Sequence, residues 1–460
     1  MQRLLVVAVA TTTALAFPGH SAADDTHYQD FLVGEHALGI GGAFTAIADD
    51  ASAAFYNPAG LALMGTLAIS GSLSIYGFER REVDGAYTTR LGSADFVQSD
   101  TPTFPLSVGL VRKFGRKQDD GARNHALAFS TVIPYQGATT YRGDLDDGTL
   151  FDHIRIREAD RWIWVGPSYA YRLHPRLAVG LTAYLATRDF SHTFDRSSAE
   201  AGSIEAGVRP LIDGQFDTTE VSLSDRSVLL RLGVLWQPTD HLRFGLMVAL
   251  PSMRIDSGAT VMRRRLRADL TDPAASVGTY SDESEKRDGA SPFPLHVRVG
   301  AASQIGHRSV VSADLSLYAP VSYDLLDVGQ VTPDEFFVPH VERQLTVNVN
   351  VGFETLLAEH VPLRAGIFTN LSSAPEPVEG AVAMNPRVHR FGASLSTGYR
   401  DDTYDIQVGV AGLTGTGTAL VPSADGDPFY VRADARAHSL YFFLSGAREA
   451  VDRAVTGWTN

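Results

Sequence analysis

The chain has 460 residues, no cysteine and a formal net charge of −14. The lack of cysteine excludes disulfides, thiolate chemistry and a lipid-modified N-terminal cysteine, and the acidic balance argues against a nucleic-acid-binding protein. At this length about two or three soluble domains are usual, whereas one large β-barrel accounts for the same length as a single unit.

The N-terminus has the pattern of a secretory signal peptide. A short basic start is followed by the apolar run Leu4–Phe17 and by the small residues Ser21-Ala22-Ala23, which form a cleavage site. We expect cleavage after Ala23. No later apolar run is long enough for a membrane-spanning helix, so the sequence predicts an exported chain without helical spans.

Residues 37–61 form a segment of small residues with its own turn signals. Asn57 is a good N-cap, and Pro58 suits the first position of a helical turn because its missing N–H is no loss there. Asp50 or Ser52 is suited to cap an earlier turn in the same way. The segment is too short to build its own core, so it needs a host, and a barrel lumen is one. The hatch motif consists of Asp49, Asp50, Ser52, Asn57, Pro58, Ala59 and Gly60.

After residue 64 the sequence alternates between apolar and polar residues with a period of two. In one segment the apolar residues are Leu345, Val347, Val349, Val351 and Phe353, and Thr346, Asn348 and Asn350 lie between them. A period of two predicts β-strands. Polar residues on the second face are typical of strands that surround a wet lumen.

About fourteen segments show this alternation, with boundaries good to roughly two to four residues. They span 65–78, 104–115, 124–135, 161–173, 176–190, 221–237, 241–254, 294–305, 308–321, 342–355, 361–371, 388–399, 403–412 and 437–446. Short linkers alternate with the long linkers 79–103, 136–160, 191–220, 255–293, 322–341, 372–387 and 413–436. Short periplasmic turns and long outer loops are the signature of outer-membrane barrels. A β-sandwich or propeller explains neither the two classes of linker nor the polar second face.

These features predict an all-β protein, a transmembrane antiparallel β-barrel of about fourteen strands with a hatch of short helical turns in its lumen. The even number of strands puts both termini in the periplasm. The expected regions are a signal peptide over 1–23, an N-terminal hatch over 24–60, the barrel over 61–447 and a C-terminal periplasmic tail over 448–460.

The stretch Ala48-Asp49-Asp50-Ala51-Ser52, followed by Asn57-Pro58-Ala59-Gly60-Leu61, resembles the N-terminal signature of FadL/TodX-type outer-membrane transporters of hydrophobic compounds. The resemblance implies a barrel in the bacterial outer membrane, in contact with lipid and lipopolysaccharide, that takes up fatty-acid-like or aromatic small molecules passively. We expect a monomer without a cofactor. PorV-type barrels of a secretion system carry a very similar signature and bind exported proteins, so that alternative stays open.

The third predicted strand contains residues that disturb pairing. Pro134 cannot donate a hydrogen bond to the ladder and Gly137 weakens it, so we expect pairing to fail locally. The stretch resembles the kinked third strand of the FadL family. The resemblance implies a lateral gate at Pro134, Tyr135 and Gly137, through which ligand leaves the lumen for the bilayer. The alternative is a strand that ends at Pro134.

The predicted outer loops 191–220 and 255–293 are the two longest. In the FadL family the corresponding loops capture ligand in a hydrophobic groove, but here they hold few aromatic residues. The second loop carries Arg263, Arg264, Arg265 and Arg267. Their guanidinium groups are suited to attract a carboxylate or the phosphates of lipopolysaccharide. The alternative is a solvated basic turn or a strand extension.

Two acids of the hatch are candidates for a lock. Asp49 and Asp50 are expected to pair with lumen arginines, and the candidates are Arg231, Arg243 and Arg298. In a wet lumen each pair stabilises the seated hatch by on the order of 1 kcal/mol or less. Such weak pairs suit a plug that moves. The alternative is a pair of solvated acids that cap a helix.

Enzymatic motifs are absent from the sequence. It has neither a G-x-S-x-G nor an H-E-x-x-H motif, and its 14 histidines lack the spacing of zinc ligands. We therefore expect neither an enzyme nor a metal site. An outer-membrane hydrolase is a second alternative, and a Ser–His pair within hydrogen-bond reach would support it.

Overall fold

The computed structural model describes residues 26–29, 32–65, 67–89, 92–100, 107–117, 123–201, 211–269, 279–327, 333–423 and 428–450. The predicted signal peptide (1–23) and residues 451–460 of the predicted tail lie outside these residues. Within the described ranges, no helix is both long and apolar enough to cross a bilayer.

Antiparallel strands make up most of the described chain. In chain order they are β1 (Leu67–Thr89), β2 (Gly92–Asp100), β3 (Ser107–Lys117), β4 (Arg123–Asp146), β5 (Leu150–His174), β6 (Leu177–Ala201), β7 (Leu211–Thr239), β8 (Leu242–Ala249), β9 (Met253–Asp269), β10 (Thr279–Arg287), β11 (His296–Ile305), β12 (Ser309–Tyr318), β13 (Val321–Asp324), β14 (His340–Arg343), β15 (Thr346–Ala358), β16 (Val361–Asn370), β17 (Arg387–Arg400), β18 (Tyr404–Pro422) and β19 (Tyr430–Ala450). A two-stranded sheet of β13 and β14 stands apart from the large sheet.

Fourteen of these described strands form one closed wall: β1, β3 to β8, β11, β12 and β15 to β19. Each pairs with the next one along the chain, and the wall closes where β1 pairs with β19. Every wall strand overlaps one of the predicted segments. The prediction of an antiparallel barrel of about fourteen strands is therefore confirmed.

The strands are longer at one end than the alternation predicts. β4 continues to Asp146 and β5 begins at Leu150, so most of the predicted loop 136–160 is a hairpin. The other predicted loops that are largely strand are 79–103, 191–220, 255–293 and 413–436. Beyond the apolar zone both faces of a strand meet water, so the hydrophobic period fades although backbone pairing continues. At the other end, β19 runs to Ala450, so the tail predicted from 448 begins inside the last strand.

The alternation along β15 shows which environment each face meets. Val347, Val349 and Val351 point out of the barrel and are between 37% and 42% exposed, whereas Thr346 and Asn350 point into the lumen and are buried. An apolar outer face with a polar inner face is the pattern of a barrel that lipid surrounds.

Short helical turns occupy the lumen. They are α1 (Glu35–Gly39), α2 (Ala53–Tyr56) and a 3-10 helix over Pro58–Leu63. Nearly all of residues 32–64 are buried, and their apolar side chains share a core with those of the wall. The helical part continues past Gly60, where the hatch was predicted to end, because the buried Leu61 and Ala62 belong to it.

Glycines of the wall leave room for the backbone of the hatch. In the described part of the wall, the positions at which an added Cβ would overlap a hatch atom are Gly109, Gly180, Gly233, Gly245, Gly300, Gly352 and Gly366. These glycines lie on seven different wall strands, from β3 round to β16. They form a seat on which the hatch rests backbone to backbone.

The closest approach joins two glycines. Gly41 of the hatch has φ +63°, a conformation that side chains rarely tolerate. It lies against Gly366 of β16, and neither residue has space for a Cβ. The small residues of the hatch are therefore matched by small residues in the wall.

Replacing Gly366 with valine is expected to displace the hatch and leave the wall intact, because the added side chain must occupy the space of Ile40 and Gly41. In planar bilayers the variant should conduct ions several-fold better than the natural protein. Gly446→Val is the matched control, since an added Cβ there meets its nearest neighbours at 3.6 and 3.7 Å. Equal conductance of the two variants would contradict a glycine seat.

Candidate functional site: hatch, cavities and wall

Asn57 ties the hatch to the wall. Its Oδ1 accepts a hydrogen bond from the Ala59 N–H at 3.2 Å, which caps the 3-10 helix as predicted, and Pro58 occupies the start of that helix. The Asn57 Nδ2 donates to the carbonyl of Thr45 at 2.9 Å and to the carbonyl of Val234 on β7 at 3.0 Å. The motif therefore caps one turn and also joins two parts of the hatch to the wall.

Asp50 organises the turn before α2. Its carboxylate accepts hydrogen bonds from the backbone N–H of His36 at 3.0 Å and of Ser52 at 2.6 Å. Ser52 occupies the N-cap position of α2, but its side chain makes no capping hydrogen bond in the described structure. Of the two residues predicted to cap this turn, Asp50 does so and Ser52 does not. The Asp50 carboxylate accepts hydrogen bonds from the N–H of Ser52 and from the N–H of His36 in α1, so it holds this turn against α1.

Lumen arginines hold the hatch by its backbone and its rings. Arg231 donates to the Phe55 carbonyl, and its guanidinium carbon lies 4.1 Å from the centre of the Phe55 ring. Arg298 donates to the Gly42 carbonyl at 3.0 Å and pairs with Asp314 of the wall at 3.2 Å. A carbonyl and an aromatic face both attract a guanidinium group, so these contacts need no acid on the hatch.

Asp49 pairs with a histidine of the hatch. The His36 Nδ1 lies 2.9 Å from Asp49 Oδ1, and the His36 Nε2 lies 2.8 Å from Glu354 Oε2 on β15. Among the described residues, neither Asp49 nor Asp50 forms an ion pair with Arg231, Arg243 or Arg298. That prediction is wrong because α1 places His36 between Asp49 and the wall.

The wall completes this group of charges. Arg364 pairs with Glu354 at 2.6 Å and with Asp405 at 2.5 Å, and Arg400 pairs with the same two acids at 2.6 and 2.7 Å. We name the group the hatch lock; it consists of His36, Asp49, Glu354, Arg364, Arg400 and Asp405. It lies beside the short turn between β17 and β18, and its charges balance when His36 is protonated.

The two hatch residues of the lock titrate far from their usual pKa values. Burial acts to lower the pKa of His36, but the carboxylates of Asp49 and Glu354 outweigh it and raise the pKa to about 9. Burial acts to raise the pKa of Asp49, but the His36 imidazolium and its hydrogen bond bring the pKa down to about 2. At neutral pH both groups are charged, so the lock is closed by direct ion pairs.

Two cavities lie in the lumen, and the lower one borders the hatch. The upper cavity has a volume of about 180 Å³, and its aromatic lining consists of Phe96, Tyr141, Phe190, Phe336, Phe337 and Tyr430. The lower cavity has a volume of about 30 Å³, and it is lined by His27, Tyr28, Pro134, Tyr135, Asp160, Trp162, Trp164, Phe293 and Arg343. The upper cavity has room for a small organic molecule and the lower one for about one water.

A buried ion pair stands between the cavities. Arg188 of β6 donates two hydrogen bonds to Asp160 of β5, at 2.9 and 2.7 Å. Asp160 borders both cavities. The Arg188 guanidinium lies 5.3 Å from the ring of Trp162, in the lower cavity, and 5.5 Å from the ring of Phe190, in the upper one. The pair therefore marks the passage from one cavity to the other.

β4 is disturbed at the predicted position. Its register against β5 shifts between Val132 and Tyr135, so Pro134 lies in a bulge. On its other side, the described pairing with β3 ends where Ser107 faces Val132. Pairing with β5 resumes at Tyr135 and includes Gly137. The strand does not end at Pro134, and Gly137 does not break the ladder.

The arginines predicted for ligand capture lie on a strand. Arg263, Arg264, Arg265 and Arg267 belong to β9 rather than to a loop. Arg264 and Arg265 pair with acids of neighbouring strands at 3.4 and 3.0 Å, and Arg267 donates to an amide of β7 at 3.1 Å. Arg263 donates to the carbonyl of Pro333. These contacts occupy the cations, so the structure does not favour their role in ligand capture.

The sequence did not predict that a segment of the chain crosses the lumen. Residues 333–339, which we call the lumen strap, were predicted to lie in the outer loop 322–341. They instead fold into the barrel, and Phe337 is only 1% exposed. The available signal was the apolar pair Phe336-Phe337 between two prolines. Two adjacent phenylalanines are unusual in a solvated loop.

Three polar side chains form a hydrogen-bonded series on β13 and β14. The Ser322 Oγ lies 3.0 Å from the His340 Nε2, and the His340 Nδ1 lies 2.7 Å from Asp324 Oδ1. The side chains of His340 and Asp324 are 55% and 67% exposed. Water competes for both groups, so the series contributes little to stability.

The hatch lock predicts a conductance that depends on pH. The pKa of His36 is about 9 when the hatch is seated, against about 6.5 for a free histidine. Its stabilising contribution is therefore complete below about pH 6.5 and is lost as the pH rises through about 9. Ion conductance in planar bilayers should rise over that upper range. The variant His36→Gln should conduct well at neutral pH, with a flat profile, and a wild-type-like rise in it would contradict the lock.

No protein-family model and no curated protein matches the chain. Solved structures do match it. A FadL homologue of Pseudomonas aeruginosa has a TM-score of 0.58 and 14% identity, over 94% of this chain and 99% of its own. The toluene transporter TodX of P. putida has a TM-score of 0.55 and 14% identity, over 92% and 100%. The monoaromatic hydrocarbon channel CymD has a TM-score of 0.52 and 13% identity, over 91% and 98%. At these identities the likeness establishes the architecture: the chain is a closed β-barrel with the fold of the FadL-type channels.

Proposed function

We propose that the protein is an outer-membrane channel for the passive, energy-independent passage of hydrophobic small molecules. Ligand partitions into the upper cavity, passes the Asp160–Arg188 pair into the lower cavity and leaves sideways at Pro134 when the hatch shifts. The lining of the lower cavity carries this proposal, because the hatch residues His27 and Tyr28 border the same space as Pro134.

The outward face of the wall supports a location in the bacterial outer membrane. Leu246, Val299 and Val349 point outward and are between 38% and 46% exposed. A belt of such residues is stabilised by lipid, and contact with outer-membrane lipid and lipopolysaccharide follows from that location. One barrel encloses both cavities, which supports a monomer as the functional unit.

The upper cavity favours a compact, uncharged ligand. An apolar cavity of roughly 150 Å³ holds a benzene ring, and the upper cavity has a volume of about 180 Å³. Its charged lining consists of three arginines and four acids: Arg81, Arg390, Arg436, Glu82, Glu158, Asp160 and Glu335. The acids outnumber the arginines and disfavour the carboxylate of a fatty acid, so we favour aromatic compounds. The names of TodX as a toluene transporter and of CymD as a monoaromatic hydrocarbon channel agree with this choice.

The part of the hatch that moves is the segment 26–29. It lines the lower cavity, where the Tyr28 ring stacks on the Tyr318 ring at 4.2 Å and the Arg343 guanidinium carbon lies 4.6 Å from the centre of the Tyr28 ring. The glycine seat receives the hatch from Ile40 onward, and the hatch lock holds it at His36 and Asp49. A local shift of 26–29 therefore opens the lower cavity and leaves the seat and the lock in place.

The size of the free space supports a channel over a PorV-type barrel that receives exported proteins. A polypeptide needs a wide lumen, whereas the hatch and the lumen strap leave cavities of about 180 and 30 Å³. Cavities of this size suit a small molecule.

The Ser322–His340–Asp324 series permits a check of the hydrolase alternative. A catalytic serine relies on a water-excluded site with preorganised hydrogen-bond donors, whereas these side chains face water. We expect a fluorophosphonate probe to leave Ser322 unlabelled, and Ser322→Ala to leave the hydrolysis of p-nitrophenyl butyrate unchanged. Labelling of Ser322, detected by mass spectrometry of its peptide, would favour the hydrolase.

Replacing Pro134 and Gly137 together with valine tests the lateral exit. Valine at 134 can donate to the ladder where proline cannot, and valine at 137 should stiffen the strand that is already paired there, so β4 should stay closed beside the lower cavity. Uptake of tritiated toluene by cells that contain the variant should fall about tenfold, equivalent to ~1.4 kcal/mol of added barrier, while heat-modifiable migration in gels shows a folded barrel.

Thr140→Val is the control for that variant. Thr140 lies on the same strand and pairs in regular register with Arg157 of β5. Its uptake should match that of the natural protein. Normal uptake by the Pro134/Gly137 variant would remove the lateral exit from the proposal.

A further inference from the structure

We propose that the lumen strap, residues 333–339, is a second gate, and that it controls admission of ligand from outside to the upper cavity. We further assign to Phe336 the role of limiting the size of the compound admitted. The inference rests on the proposed function, because it concerns ligand on the same path. The strap and the hatch lie at different ends of the barrel. The hatch closes the end at which short turns connect the strands, and the strap lies towards the end that has the long hairpins.

The strap spans the lumen from one side of the wall to the other. At its start, the Pro333 carbonyl accepts hydrogen bonds from Thr219 of β7, at 3.3 Å, and from Arg263 of β9. Two residues later the Glu335 carbonyl accepts a hydrogen bond from Tyr430 of β19 at 2.6 Å. In the described wall β7 and β19 lie almost opposite each other. A chain between them obstructs the opening.

A histidine fastens the strap to a third part of the wall. His192 of β6 is wholly buried, its Nε2 lies 2.9 Å from Asp334 of the strap, and its Nδ1 lies 2.8 Å from Glu158 of β5. Phe337 packs edge-on to the His192 ring at 5.2 Å. The contact is specific, since one side chain bridges the strap and the wall through both ring nitrogens.

The strap is attached by side chains and not by a strand ladder. The described polar contacts that fasten it to the wall use the hydroxyl groups of Thr219 and Tyr430, the guanidinium groups of Arg196 and Arg263 and the imidazole of His192. The neighbouring strands β13 and β14 pair with each other, in a sheet separate from the wall. The strap can therefore move without breaking any wall pairing.

Two phenylalanines of the strap form part of the upper cavity. Phe336 and Phe337 both line it. The Phe336 ring lies 5.7 Å from the ring of Phe96 on β2 and 5.8 Å from the ring of Phe194 on β6. Because Phe336 is less buried than Phe337, truncating it widens the cavity at smaller cost to the fold.

A reversible cross-link tests the gate. The natural chain has no cysteine, and the Thr219 Oγ1 lies 3.3 Å from the Pro333 carbonyl, so Thr219→Cys with Pro333→Cys places two thiols on residues that touch, and loss of free thiols on oxidation shows that the bridge has formed. Binding of tritiated toluene to the purified barrel is measured by rapid mixing. We expect the oxidised form to bind about tenfold more slowly than the reduced form, and dithiothreitol to restore the rate. The two single-cysteine variants are the controls and should not respond to oxidant.

The outcomes separate the gate from the proposed function. Equal binding rates in the oxidised and reduced forms overturn the gate. A reduced form that binds no toluene also overturns it, because the cavity behind the strap then holds no such ligand. A natural protein that binds toluene but does not pass it into cells refutes the channel, whereas the effect of the cross-link on binding still decides the gate.

Size selection is tested with Phe336→Ala. The ratio of the naphthalene to the toluene binding rate should rise several-fold, because the missing ring admits a larger compound. Phe429→Ala is the matched control, since Phe429 is 44% exposed and is not among the described residues that line the upper cavity. An unchanged ratio in Phe336→Ala overturns the role of Phe336.

Discussion

The contact between the backbone of the hatch and the backbone of the wall is the constraint on which the rest of this structure depends. A barrel of this circumference would enclose a wide, wet lumen if polar side chains alone lined it. Glycines at facing positions remove those side chains, so that the hatch reaches the wall itself, as Gly41 reaches Gly366. The lumen then becomes a packed core, and its remaining polar groups need partners inside it.

Those partners explain the unusual number of buried charges. Arg231 and Arg298 satisfy carbonyls of the hatch, Asn57 joins its turns to the wall, and the hatch lock balances its own charges at the end with short turns. The hatch closes that end, and the exit that we propose is therefore sideways. It lies at the bulge at Pro134, beside the lower cavity, where the register of β4 against β5 shifts.

How much of the structure could be predicted from the sequence depended on how far apart in the chain the interacting residues lie. The period of two located every wall strand, and the Asn57-Pro58 pair predicted its own cap and turn, because alternation and capping are local. The partner of Asp49 was mistaken, and the ion pairs of the arginines on β9 were not predicted, since those pairings join residues far apart in the chain. The lumen strap was not predicted for the same reason. The sequence places Phe336 and Phe337 in a loop, and only the structure shows the wall that buries them.

The sequence by itself determined that the chain alternates, that it does so in about fourteen segments, and that a small-residue segment precedes them. The hydrophobic period and the effects of proline and glycine on the backbone extend over only a few residues, so the elements they specify can be predicted without a structure. Only the tertiary structure decided that His36 contacts Glu354, which glycines of the wall contact the hatch, and that both cavities border Asp160. These depend on the register and closure of the whole barrel, which bring together residues hundreds of positions apart.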